Sequence, residues 1–262
     1  GNVFATGYTT GNLDGNTNLG NTTYRDDIFL IKYNTDGVKQ WTKQFGTNKN
    51  DFGYALDLDS SGNIYVGAIV GDSYDGNTST GRPDTVLIKF NSNGIKQWSK
   101  QQGDGSYSND VNDVAVDSSG YVYMLGQASG SFDGNTSAGG DDYFLMKYNS
   151  SGTKQWSKLF GSDQDDSGMR MDFDSSDNIY ITGWTRGNLD GNTNSGDYDL
   201  FITKMNSSGT IQWTKLHGTT TLDMGQGIDV DSRNKIFVTG FTRNGNSDNG
   251  INSNDLLYLK YN

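Results

Sequence analysis

Cysteine is absent from the 262-residue chain, and proline and histidine occur once each. Without cysteine there are no disulfides, no thiolate metal sites and no cysteine nucleophile. The single histidine, His217, follows "KL" where other copies of the same segment carry Phe45, Gln102 or Phe160, so it reads as a structural replacement of an aromatic. No G-x-S-x-G or H-E-x-x-H pattern is present, which removes the familiar apparatus of serine and zinc hydrolysis. Positive charge is also scarce: 20 Lys and Arg stand against 31 Asp and Glu, a net charge of -11. Phosphate binding needs clustered Lys and Arg, so nucleic acid and anionic membrane surfaces are poor partners. No apolar run approaches the roughly 20 residues needed to cross a bilayer as a helix. The opening "GNVFATG" carries neither an initiator Met nor a signal peptide and reads as a processed or excised segment.

Apolar residues are few as well. They make up 32% of the chain, too little for one large core, yet 12% of residues are aromatic, too many for an acidic disordered chain. A thin core built many times reconciles the two. The 36 glycines supply the tight turns such a plan requires.

The repetition is explicit. Lys-x-Asn tripeptides begin at Lys32, Lys89, Lys147, Lys204 and Lys260, at intervals of 57, 58, 57 and 56 residues. Tryptophans preceded by "KQ" or "IQ" stand at 41, 98, 156 and 213, again 57 or 58 apart. Each unit reads as four short strands, exemplified by "GYALDLD" (53–59), "NIYVGAIV" (63–70), "DTVLIKFN" (84–91) and "IKQWSKQQG" (95–103), designated A to D. Alternation of apolar and polar residues, β-branched enrichment and Gly/Ser/Asn/Asp turns all predict strands. The expected fold is all-β: a β-propeller of four-stranded blades with a repeat of about 57 residues. Strands B and C occur five times and strands A and D four times, so five blades are represented and each terminal blade is short of one strand. One domain over 1–262 is expected, with units near 1–49, 50–106, 107–164, 165–221 and 222–262. Lysines flanking the tryptophans (Lys39/Lys43, Lys96/Lys100, Lys154/Lys158) suit strand D as an outer edge, since charged edges resist pairing with other molecules. The incomplete terminal blades admit continuation of the natural chain, further blades, or self-association by strand complementation.

Four loops share the pattern Asp-Gly-Asn-Thr-Asn/Ser-x-Gly. Calcium takes hard oxygen ligands, and oxygen-bearing residues at positions 1, 3 and 5 of a tight loop converge on one ion. The candidates are Asp14, Asn16 and Asn18; Asp75, Asn77 and Ser79; Asp133, Asn135 and Ser137; and Asp190, Asn192 and Asn194. A later aspartate, Asp26, Asp84, Asp142 or Asp199, would complete each shell. Such a site would bind calcium weakly, because the EF-hand glutamate at position 12 has no counterpart. The same residues are also standard turn formers, so a purely structural loop is the competing reading. The fifth copy, 244–255, has lost the pattern.

Paired carboxylates, Asp57/Asp59, Asp172/Asp174 and Asp229/Asp231, recur because strand A alternates into its turn, so an acid–base role is not expected of them. One position after strand B varies freely: Tyr8, Ala68, Gln127, Trp184 and Phe241. Aromatic rings beside Asp/Asn-rich loops suit sugars, which makes Tyr8, Trp184 and Phe241 candidate ligand-binding residues; packing between units is the alternative.

The segments "SSGNIYV", "LDGNTN", "FLIKYN" and "KQWTKQFG" resemble the bacterial β-propeller repeats called SBBP, over essentially the whole chain. The resemblance implies secreted or surface-exposed proteins of bacteria and archaea and brings no catalytic residues. The expected function is therefore a non-catalytic extracellular or cell-surface scaffold with a protein or glycan partner and no required cofactor. A lectin-like propeller and a weak calcium-binding module are the alternatives.

Overall fold

Every repeat folds as an antiparallel meander whose turns are written in its asparagines, aspartates and glycines. The structure, a computed structural model, describes residues 1–20, 25–81, 83–105, 109–244 and 253–261. The lost fifth DGNT copy falls mostly outside them. The described residues form eighteen strands and no helix. The first sheet contains β1 (Val3–Thr9), β2 (Asp27–Tyr33) and β3 (Lys39–Phe45), in that order. The second contains β4 (Phe52–Leu58), β5 (Ile64–Val70), β6 (Asp84–Phe90) and β7 (Lys96–Gln102). The third contains β8 (Asn109–Val116), β9 (Val122–Ala128), β10 (Asp142–Tyr148) and β11 (Lys154–Phe160). The fourth contains β12 (Asp166–Phe173), β13 (Ile179–Thr185), β14 (Asp199–Met205) and β15 (Ile211–His217). The last contains β16 (Asp223–Val230), β17 (Ile236–Asn244) and β18 (Ser253–Tyr261). The first and last sheets thus have three strands, as the motif count requires.

Local chemistry explains the meander. The C–D turns are organised by the asparagine of the Lys-x-Asn motif: Asn34 Oδ1 accepts the N–H groups of Asp36 and Val38 at 3.0 and 2.9 Å. Asn91, Asn149 and Asn206 do the same for their turns. Each such turn then passes through a left-handed glycine, with φ of 73° at Gly37 and 71° at Gly94. A second demand falls on the later turn glycines. A Cβ on Gly152 would lie 2.9 Å from the Trp98 ring, and one on Gly209 3.0 Å from Trp156. The tryptophan of one repeat is therefore seated on the turn of the next. The lysines follow suit: Lys32 Nζ donates to the carbonyl of Ser92 and Lys89 Nζ to that of Ser150.

The central strands carry the core. All seven residues of β5 and of β6 are buried, whereas the D strand β7 opens on two exposed residues. By their contacts the residues group into two compact units. The first comprises 1–116, 120–124 and 147–155; the second comprises 117–119, 125–146 and 156–262. In the first unit, Ile28 and Leu30 of β2 pack with Ile64, Val66, Val86 and Ile88, flanked by Phe4, Trp41 and Phe45. In the second, Leu200 and Ile202 pack with Ile236 and Val238, flanked by Trp213, Ile228 and Leu259. Each core lies between neighbouring sheets, and full burial of such side chains stabilises by roughly 1.5–3 kcal/mol apiece.

Candidate functional site: the DGNT turns and the buried aspartates

The Asp-Gly pairs of the four loops occupy the left-handed region together: φ is 52° and 79° at Asp14 and Gly15, and 51° and 79° at Asp190 and Gly191. Asn16 N–H donates to Leu13 O at 2.9 Å, and Asn192 N–H to Leu189 O at 2.9 Å. Two successive positive φ values closed by such a bond define a type I′ turn, for which Asp-Gly is a preferred pair. Asn77 and Asn135 close their turns identically.

The aspartate side chains point to strand D. Asp14 accepts the Thr42 hydroxyl and pairs with Lys39 Nζ at 2.5 Å. Asp75 accepts Ser99 Oγ at 2.8 Å and pairs with Lys96. Asp190 accepts the Thr214 hydroxyl. Lys39 and Thr42 hold the Asp14 carboxyl below the usual carboxylate range. At Asp75 burial acts upward, but Lys96 and Ser99 outweigh it and the net shift is downward. The asparagines serve the backbone. Nδ2 of Asn16, Asn77, Asn135 and Asn192 donates to the carbonyl three residues back, at 2.8 to 3.1 Å. Asn18 Nδ2 reaches Thr9 O and Arg25 O, and Asn194 Nδ2 reaches Thr185 O. Where serine stands instead, Ser79 Oγ and Ser137 Oγ accept the N–H of Gly81 and Gly139. Among the described residues no group of three or more Asp, Glu, His or Cys side chains is gathered where one ion could touch them all.

The second carboxylate series lies deeper. Asp27, Asp84, Asp142 and Asp199 open the C strands and are fully buried. In the first repeat the equivalent residue is Asp27, not its neighbour Asp26, because β2 begins at 27 and turns that side chain inward. The Oδ2 of each accepts the backbone N–H of the sixth DGNT residue: Leu19, Thr80, Ala138 and Ser195, at 2.7 to 3.0 Å. These aspartates close the loops from beneath.

A third series went unrecognised in the sequence. Asp51, Asp166 and Asp223 stand at the head of the A strands, each nearly or fully buried. Their Oδ2 atoms accept the N–H of Thr47, Ser162 and Thr219 at 2.5 to 2.7 Å. Their own N–H groups donate to Asp26 O, Asp141 O and Tyr198 O, beside the C-strand aspartate of the preceding repeat. The signal was present as an aspartate recurring in register, but its partner lies in another repeat. Desolvation pushes the Asp51 carboxyl up to about 6, and likewise raises Asp142, Asp166 and Asp199.

The remaining candidates have structural partners. Asp57 accepts the Val116 N–H at 2.8 Å and Asp172 that of Val230 at 2.6 Å. Asp59, Asp174 and Asp231 cap the A–B turns. His217 shares a hydrogen bond with the Tyr261 hydroxyl and is held below its ordinary range by desolvation and by Lys215.

The aromatic candidates divide. Tyr8, in the first unit, is 54% exposed and meets Phe52 edge-on at 4.9 Å, and Phe52 leads to Tyr54, 49% exposed. An open cleft of about 330 Å³ adjoins Phe52, lined also by Arg25, Lys49, Asn50 and Pro83 among others. Trp184, in the second unit, is partly buried edge-on to Tyr198 at 4.9 Å, with Arg186 over the Tyr198 ring. Phe241 is half-buried in β17, opposite Met224 and Leu256.

The family model described as the SBBP β-propeller repeat matches residues 40–68, 97–133 and 155–190. Three segments of the chain match this repeat model. Each match begins within a D strand and runs on into the next repeat. Two solved structures are similar to the chain in fold. A protein of unknown function from Dyadobacter fermentans DSM 18053 is 13% identical, with a TM-score of 0.56 over 98% of this chain and 72% of its own. One from Bacteroides caccae is 10% identical, with a TM-score of 0.53 over 89% and 73%. The regulatory protein FlaEY of Caulobacter vibrioides is 26% identical over 172 residues, 59% of this chain. The chain spans only 18% of that protein's length.

Proposed function

We propose that the chain is a non-catalytic β-propeller scaffold whose sheets serve as blades of one domain, acting at the cell surface or outside the cell. The observation that carries this reading is the use to which its polar residues are put. Aspartates and asparagines are spent on turns and inter-repeat hydrogen bonds that recur with the period, and the lone histidine on a bond to Tyr261, while one position that the structure places inside strand B, towards its end, varies from Tyr8 to Ala68, Gln127, Trp184 and Phe241. A constant frame with a variable position is how repeat proteins present binding surfaces. The acidic balance suits a cation-rich setting, and exposed edge strands allow self-association by strand addition. Light scattering combined with small-angle X-ray scattering tests the reading. A concentration-independent compact particle is expected of a self-contained scaffold, and elongated particles growing with concentration would make assembly the function instead.

A second reading, a glycan-binding propeller, is favoured by the exposed Tyr8–Phe52–Tyr54 run beside a cleft containing Arg25, Lys49 and Asn50. Sugars stack an apolar face on such rings and offer hydroxyls to the polar rim. A glycan array without a binder would discard it. Calcium at the DGNT side chains would have to displace Lys39 from Asp14 and Lys96 from Asp75, so weak binding there is the least supported alternative.

A further inference from the structure

We propose that three inter-repeat junctions each hold a calcium-class divalent cation, between Asp27 and Asp51, between Asp142 and Asp166, and between Asp199 and Asp223. This place is distinct from the DGNT side chains and independent of the scaffold reading. The two carboxylates at each junction come from a C strand and from the next A strand, and the glycine ending the intervening D strand leaves them room. A Cβ on Gly161 would lie 1.8 Å from Asp142 Oδ1 and 3.0 Å from Asp166 Oδ2. On Gly46 it would lie 2.5 Å from Asp51 Oδ2 and 3.2 Å from Asp27 Oδ1. On Gly218 it would lie 2.0 Å from Asp199 Oδ1. The Gly161 distances bracket the two oxygens within about 5 Å of each other, a span that calcium–oxygen bonds of roughly 2.3–2.6 Å bridge.

The decisive observation is the orphaned oxygens. Asp27, Asp142 and Asp199 are completely buried, and while Oδ2 of each is hydrogen-bonded, Oδ1 of each has no partner. None of the six carboxylates is ion-paired to a lysine or arginine among the described residues. Two buried carboxylates without a counter-charge are costly, and a divalent cation supplies the missing charge and the missing partner together. Hard carboxylate oxygens, with no thiolate in the chain and with His217, which faces Asp199, hydrogen-bonded to Tyr261, select calcium or magnesium over transition metals. Calcium's tolerance of irregular shells suits a site completed by hydroxyl, carbonyl and water oxygens.

The remaining junction is a control within the chain. Asn109 stands where Asp51, Asp166 and Asp223 stand elsewhere, and there the Thr80 hydroxyl donates to Asp84 Oδ1. Where one carboxylate has become a neutral amide, the other's free oxygen has acquired a hydroxyl donor. Asn109, itself buried and unpartnered, keeps that pocket polar but not doubly charged.

The test is isothermal titration of the EDTA-treated protein with calcium chloride, with terbium luminescence as a second readout. About three ions per chain are expected, with an accompanying rise in melting temperature. Asp166→Asn, an isosteric change checked for folding by circular dichroism, should remove one ion. Asn109→Asp combined with Thr80→Val should add a fourth. Asp14→Asn in a DGNT turn should leave the count unchanged. No heat and no thermal shift at millimolar calcium or magnesium would overturn the proposal, leaving a shared proton at each pair. So would an ion count that follows Asp14→Asn and ignores Asp166→Asn, which would move the site to the DGNT loops.

Discussion

Asp172 accepts the backbone N–H of Val230 at 2.6 Å across 58 residues of chain. One A strand thereby grips the next by a charge-assisted bond to a partly buried strand end, and Asp57 does the same to Val116 at 2.8 Å. Hydrogen bonds to charged groups contribute roughly 1.5–3 kcal/mol. Asp172→Ala should therefore lower the melting temperature by several degrees, read by calorimetry. Asp172→Asn keeps an acceptor oxygen and should lose less. Equal losses from both variants would mean that the bond does not carry the effect.

The type I′ turns make a second prediction. Gly191 sits at φ 79° with nothing near the position of a Cβ, so Gly191→Ala adds strain without a clash. The left-handed conformation costs an alanine about 1 kcal/mol or slightly more. Chemical denaturation should show a loss of that size, and no loss would mean the turn relaxes to another form.

A third prediction concerns pH in the absence of divalent ions. Asp51 is raised to about 6 by desolvation, so its folded-state value lies above its unfolded one. Between the two values the folded state holds the extra proton, and stability rises as pH falls through about 6 towards 4. The gain is at most about 3 kcal/mol for this group. Below that window the effect reverses, because Asp14, Asp59, Asp72 and Asp174 have lowered values and lose their stabilising contribution on protonation. In a His217→Gln background, which removes a group shifted in the opposite sense over this interval, the melting temperature in EDTA should thus be higher at pH 5 than at pH 7.5. A flat or opposite trend across that interval would contradict the burial of an uncompensated Asp51.

A fourth separates binding from folding. Tyr8 is largely exposed and, among the described residues, packs edge-on to the Phe52 ring, so Tyr8→Ala should leave the melting temperature nearly unchanged. If the glycan reading holds, sugar affinity measured by titration should fall at least tenfold. Retained affinity in both Tyr8→Ala and Trp184→Ala would end that reading.

The meander and its strand limits were legible because four strands, their turns and their tryptophans repeat the same signal at every period. β5 and β6 fall within a residue of the positions that alternation indicates. The DGNT loops were legible as two alternatives, turn or ion site, since the same Asp, Gly and Asn serve both. Lys39 and Thr42 of β3 engage the side chain of Asp14, which lies in the loop between β1 and β2, and strand-to-loop distances are not written in a linear pattern. Adjacent aspartates at 26 and 27 concealed which one enters the core, because a one-residue slip moves a side chain to the opposite face. The pairing of Asp142 with Asp166 was hidden for a further reason: it joins the C strand of one repeat to the A strand of the next.

Each repeat thus carries one half of a lock for the unit before it and one half for the unit after. Trp98 finds the turn at Gly152, and Trp156 finds the turn at Gly209, with the same geometry. A genetic exchange between any two copies in the same phase would regenerate both halves at the seam. Duplication or loss of a whole period therefore leaves no unmatched contact inside the array. Such a chain can change its length by recombination without re-evolving its folding, so the number of units is free to drift while the unit itself is held fixed.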